Sequence, residues 1–98
     1  MTALVLDGQL KSALAVVRSL GAKDITVSVG AERSTGMALH SRFASARFVY
    51  PSPYSDEAGF IEAFIAEARR LGGKPVVYAL SDATFLALYR ARARLTDV

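Results

Sequence analysis

Four short polar segments of this 98-residue chain hold the residue types that chemistry needs. Asp7-Gly8-Gln9-Leu10-Lys11-Ser12 follows the apolar run Ala3 to Leu6; Gly8 permits close backbone approach there, and a following helix start can hold an anion. Glu32 stands about 25 positions after Asp7, near where dinucleotide-binding domains place a ribose-binding acid. Leu39-His40-Ser41-Arg42-Phe43 contains the single histidine, and Ser81-Asp82 sets a hydroxyl beside a carboxylate.

Each segment also has a plainer reading. A dinucleotide fingerprint needs three glycines at fixed spacing, and only Gly8 is present; a Walker P-loop is absent. Usual-mode NAD binding is therefore not expected, and Glu32 reads as a loop acid. His40 has no orienting acid and nucleophile that spacing identifies, so it reads as a surface residue. Ser81 or Asp82 suits a helix N-cap, where either satisfies otherwise unpaired N–H groups. A phosphoacceptor receiver domain is excluded, because Phe48-Val49-Tyr50-Pro51 stands where its aspartate belongs.

The elements that position these segments alternate between strand and helix periodicity. Strands are expected at Ala3 to Leu6, Ile25 to Val29 closing at Gly30, Arg47 to Tyr50, and Val76 to Leu80, the last apolar enough to be covered on both faces. Ala13, Val16, Val17 and Leu20 predict a helix from about Gln9 or Leu10 to Leu20, stopped by Gly21. A short helix is expected around Gly36 to Phe43. Asp56 caps a helix with the apolar face Phe60, Ile61, Phe64, Ile65, Ala68 and Leu71, with Glu62 and Glu67 toward solvent and Gly72-Gly73 at its end. A final helix after Ser81-Asp82 carries Phe85, Leu86, Leu88 and Tyr89. The pattern β-α-β-α-β-α-β-α predicts a three-layer, Rossmann-like α/β fold with a four-stranded parallel sheet in the order 3-2-1-4. Ligands of such sheets collect at the carboxyl ends of the strands, where all four polar segments fall.

Composition narrows the function further. Zero cysteines exclude a disulfide framework, a thiolate metal site and a cysteine nucleophile, and one histidine leaves little for zinc. The net charge of +3 suggests nucleic acid only weakly: of Arg90, Arg92 and Arg94, only Arg90 and Arg94 share a helix face. With 52% apolar residues the chain is expected to fold as one domain over 1–98. It has no apolar run of membrane-span length and no basic leader, so a cytoplasmic setting is expected.

Taken in order, Val5-Leu6-Asp7-Gly8, Ala13 through Gly21, Ser41-Arg42-Phe43, Tyr50-Pro51-Ser52-Pro53 and Ala79-Leu80-Ser81-Asp82 resemble the N-terminal, pre-ATP-grasp domain of ATP-grasp ligases. The closest subgroup is carbamoyl-phosphate-synthase-like, with a biotin-carboxylase-type N-terminal domain, and the resemblance covers essentially the whole chain. It implies an enzyme in which ATP and Mg²⁺ lie between two later lobes, a carboxylate is activated as an acyl phosphate, and an amine or similar nucleophile attacks it. Those lobes are absent from this sequence, so no cofactor and no ligase activity are expected of the chain alone. The resemblance assigns Asp7, Gly8, Ser12, Ser81 and Asp82 to substrate contact, with the downstream lobes as partners. Two other readings stand beside it: a standalone module for a nucleotide or small anion, motivated by Gly8 and the helix starts, and an assembly domain that forms a homodimer through an open sheet edge.

Overall fold

A computed structural model of the chain describes residues 2–96 and 98. In chain order the elements are β1 (Thr2–Val5), α1 (Lys11–Gly21), β2 (Thr26–Ala31), a single 3₁₀ turn (Met37–His40), β3 (Ala46–Val49), α2 (Glu57–Arg70), β4 (Val76–Tyr78), α3 (Asp82–Arg90) and a second 3₁₀ turn (Arg92–Arg94). The sheet is four-stranded and wholly parallel in the order β3-β2-β1-β4, as the alternation requires. Among the described residues no helix is long and apolar enough to cross a membrane.

Side-chain alternation along the strands divides the core into two layers. Leu4 and Leu6 of the first strand segment face Phe60, Ile61, Phe64, Ile65 and Ala68 of α2 and Ala87 of α3. Val5, Val27, Val29 and Ala31 face the opposite way, onto Ala13 and Val17 of α1 and Ala38 and Leu39 of the 3₁₀ turn. Asp56 caps α2 as its spacing predicts, accepting the Gly59 N–H at 2.9 Å. Gly72 and Gly73 then leave the helix at φ +94° and +84°, backbone that a side chain would strain.

Several elements depart from expectation, each for a packing reason. Gly21 does not stop α1; it lies in the last turn, and the reversal falls to Asp24 at φ +60°. What requires glycine there is Phe43, whose Cβ would stand 2.4 Å from any Cβ added at position 21. Nor does Gly30 close β2, which runs on to Ala31. A Cβ at position 30 would lie 2.5 Å from the Phe48 ring and 2.9 Å from that of Tyr50, so the absent side chain makes room for both rings of the neighbouring strand. The helix expected over 36–43 shrinks to one 3₁₀ turn. β4 is an edge strand covered only in part on each face: Val77 and Ala79 pack against one core layer and Tyr78 and Leu80 against the other, while Val76 is 46% exposed. Of the apolar residues expected on α3, Leu88 packs against the core but Phe85, Leu86 and Tyr89 are exposed, whereas Thr84 and Ala87 are buried.

Glu67 was expected in solvent and is buried. It accepts the Ser28 hydroxyl at 2.6 Å and the Arg70 Nε at 2.9 Å, which joins the α2 face to the sole polar side chain buried in β2. The Arg70 guanidinium, with help from Ser28, holds the Glu67 carboxyl below its ordinary value against the opposing effect of burial. Because the folded-state value is depressed, this contribution to stability is present above the unfolded-state value of about 4.3 and lost as pH falls through the folded-state value. Urea denaturation should therefore show a smaller loss of stability between neutral pH and pH of about 3 in an Arg70→Met variant than in the parent. An unchanged acid dependence would refute the assignment.

Arg90 and Arg94 share a face, and that face meets α2. Arg90 pairs with Glu57 at 2.5 Å and Arg94 with Glu62 at 2.5 Å. Arg92 points elsewhere and stacks on Tyr89, its guanidinium 4.1 Å from the ring centroid. The cluster thus ties the end of the chain to α2 and forms no single basic stripe.

Candidate functional site

Two of the polar segments, Asp7 to Ser12 and Ser81-Asp82, meet at the carboxyl end of the sheet, and Asp7 is the centre of their contact. It follows β1 at φ +61°, a left-handed conformation that aspartate tolerates better than most residues. That turn aims its carboxylate sideways, across β4, to the start of α3. Oδ2 accepts the Leu80 N–H at 2.9 Å and the Thr84 hydroxyl at 2.8 Å, and Oδ1 accepts the Ser81 hydroxyl at 2.9 Å. Its own N–H donates to the Tyr50 hydroxyl at 2.8 Å. One residue, 1% exposed, therefore joins the ends of β1, β3 and β4 to the first turn of α3, through its N–H to Tyr50 and its carboxylate to the rest.

Of the five residues assigned to substrate contact, three are occupied within the chain. Asp7 is engaged as above. Gly8 is buried, its N–H donating to the Gly30 carbonyl at 2.9 Å and its own carbonyl accepting the Ala38 N–H at 3.0 Å, so the close backbone approach it permits is to β2. Ser81 is the N-cap of α3, its Oγ accepting the Thr84 N–H at 3.3 Å while its hydroxyl proton goes to Asp7. Ser12 and Asp82 are exposed in the first turns of α1 and α3. These two present side chains to whatever approaches the rim.

Glu32 lies just past β2 and is half-buried. His40 is exposed on the 3₁₀ turn with Nε2 3.0 Å from the Ser34 carbonyl oxygen, a local contact, and among the described residues no acid bonds its ring. Sequence reasoning passed over Tyr50 and Thr84, the two residues that complete the Asp7 network. Tyr50 reads from the sequence as a strand end and as part of the Tyr50-Pro51-Ser52-Pro53 segment, and no local spacing links its hydroxyl to an N–H 43 residues away. Thr84 stands three residues after Ser81, the interval at which a cap and its first turn exchange hydrogen bonds.

Between the loop after β3 and the start of α3 the rim opens into a cleft of about 110 Å³, lined by Pro53, Tyr54, Glu57, Asp82, Leu86 and Arg90. Tyr54 is 85% exposed at its mouth. At the start of α1 no side chain caps the helix and no acid occupies its first turn, and the Ala13 N–H donates to the Leu10 carbonyl at 3.2 Å. The cleft thus offers the exposed Asp82 carboxylate on the α3 side. Among the described residues no three His, Asp or Glu side chains are grouped as a metal site requires. Compared with protein-family models, with curated proteins and with solved structures, the chain matches none of them.

Proposed function

We propose that the chain is the substrate-side, pre-ATP-grasp domain of a carbamoyl-phosphate-synthase-like ATP-grasp ligase, acting in the cytoplasm. The observation that carries the reading is the Asp7 bracket. Val5-Leu6-Asp7-Gly8 and Ala79-Leu80-Ser81-Asp82, two of the segments on which the resemblance rests, are hydrogen-bonded to one another across more than 70 residues at the ligand-bearing rim. In this reading Asp7 and Ser81 are positioning residues that hold the β1–α1 and β4–α3 loops in register. Ser12, Asp82 and the uncapped start of α1 face the acceptor substrate, and downstream lobes hold ATP and Mg²⁺, which supply the activating phosphoryl transfer.

The test is ADP release by the chain joined to the sequence that follows it in its gene, over a panel of carboxylates with amine acceptors. Turnover is expected to require the acceptor, and Asp82→Ala is expected to raise its KM about tenfold with kcat little changed, as loss of a ground-state contact does. The 98 residues alone should release no ADP. A coding sequence without ATP-grasp lobes, and without a partner subunit bearing them, overturns the reading. The uncapped start of α1 favours a second reading, a freestanding small-anion or nucleotide module. Calorimetry of the 98-residue chain with nucleotides and sugar phosphates separates the two, since that module alone binds without the lobes.

A further inference from the structure

The two edges of the sheet are built differently. β3 carries Arg47, whose side chain donates to the Leu39 and Ser41 carbonyls, and runs into Pro51-Ser52-Pro53; charge and proline of this kind keep an edge strand from pairing. β4 carries no charge along its length, and its one proline, Pro75, stands just before its first residue. From Pro75 through Ser81 there is no ionisable group but the Tyr78 phenol, and Val76 is 46% exposed. Beside this edge Phe85 and Tyr89, 57% and 55% exposed, join Val77, Ala79 and Leu88 around an open apolar groove of about 560 Å³. Charge returns only at the two ends of the segment, with exposed Lys74 before it and exposed Asp82 after it.

We infer that the occupant of this edge is a second copy of the chain, paired antiparallel β4 to β4 about a two-fold axis through Tyr78. The backbone sets the register. Tyr78 accepts the Leu6 N–H through its carbonyl and Leu80 donates its N–H to Asp7, so residues 78 and 80 turn their backbone groups inward. Successive strand residues alternate, so Val77 and Ala79 turn theirs outward. In an antiparallel ladder the outward residues form the pairs that exchange both hydrogen bonds. Val77 opposite the second copy's Ala79 is such a pair, and the two-fold generates its mate. Tyr78 then faces the second copy's Tyr78 as a non-hydrogen-bonded pair, and the antiparallel sense lays the end of one strand that follows Lys74 alongside the end of the other that leads to Asp82. The charge order basic, apolar, acidic is thus self-complementary only in the antiparallel sense, and Phe85 and Tyr89 of each copy cover the other's strand. The inference does not rest on the ligase reading.

Light scattering of the 98-residue chain should show a concentration-dependent dimer. The protein has no cysteine, so a single introduced one reports its own position. Across a non-hydrogen-bonded pair the Cα atoms lie about 4.5 Å apart, within disulfide reach, whereas the two Val76 positions are separated by roughly 13 Å. Mild oxidation should therefore cross-link a Tyr78→Cys variant at least about tenfold faster than a Val76→Cys variant. Independently, Lys74→Asp should weaken the dimer about tenfold and Lys74→Asp with Asp82→Lys should restore it; both sites are exposed, and aspartate accepts the φ of +53° at position 74. A monomer at all concentrations up to about 1 mM overturns the inference, as does equal cross-linking of the two cysteine variants or a double charge reversal that fails to restore pairing. A strand supplied by a different polypeptide would give the first of these results.

Discussion

Replacing Asp7 with alanine should lower the stability of the folded chain by about 3–5 kcal/mol, the largest effect expected of any single polar substitution here. The change strips the acceptor from the Leu80 N–H and from the Ser81 and Thr84 hydroxyls at once. An unsatisfied buried donor costs about 1–3 kcal/mol, and the two hydroxyls recover part of that by rotating toward one another, since their oxygens are already 3.2 Å apart. Alanine at φ +61° adds about 1 kcal/mol of backbone strain. Against a total of about 5–15 kcal/mol for a domain of this size, the loss is a large fraction, and the melting temperature should fall by on the order of 15–25 °C. Asp7→Asn is the informative companion. It keeps the shape and tolerates the backbone, yet turns an N–H₂ toward groups that are themselves donors, so about 2 kcal/mol should go. If Asp7→Ala unfolds at the parental urea concentration, the carboxylate does not brace β4 and α3, and the proposed positioning role falls with it.

The second large effect belongs to Tyr50. Its ring packs edge-on against Phe60 with centroids 4.8 Å apart and against Phe48 at 5.8 Å, while its hydroxyl accepts the Asp7 N–H. Tyr50→Ala should cost about 3–5 kcal/mol, the usual loss for emptying an aromatic core site. Tyr50→Phe keeps the packing and removes only the acceptor, for about 1–2 kcal/mol. Urea titrations of the two variants separate ring from hydroxyl, and equal losses would show that the Asp7 N–H does not depend on Tyr50. Burial, opposed in part by the Asp7 N–H, raises the ionisation of this phenol well above its ordinary value of 10.0. A folded-state value above the unfolded one means a contribution fully present below about pH 10 and lost as pH rises beyond it. The parent should therefore lose stability with a slope approaching about 1.4 kcal/mol per pH unit above that point, and Tyr50→Phe should flatten the slope. A parallel alkaline dependence in both proteins would mean that Tyr50 ionises as it does in the unfolded chain.

Both predictions concern residues whose importance the sequence shows only in part. The order of elements and the sheet topology were legible because periodicity and handedness are local or nearly local properties. Val27, Val29 and Ala31 alternate with Ser28 and Gly30 whatever they touch, and parallel strands joined by helices admit few arrangements. The Asp56 cap and the glycine exit of α2 were legible for the same reason, since each depends on atoms a few residues away. Where the reading missed, the deciding atom came from a distant segment. Gly21 and Gly30 looked like terminators and are clearances for Phe43, Phe48 and Tyr50. Glu67 occupies a helical position compatible with solvent, and only Ser28, 39 residues away, draws it inward.

The candidate site divides along the same line. Residue types and their places after strands were enough to bring Asp7, Gly8, Ser12, Ser81 and Asp82 to one rim, because every parallel strand delivers its following loop there. Which of them face solvent and which are consumed in holding the rim together was decided by tertiary structure. A left-handed residue at position 7 sends a carboxylate across a strand to donors more than 70 residues away, and no periodicity or local spacing encodes a hydrogen bond of that span. The open β4 edge likewise follows from strand order, a relation among all four strands that none of them carries alone.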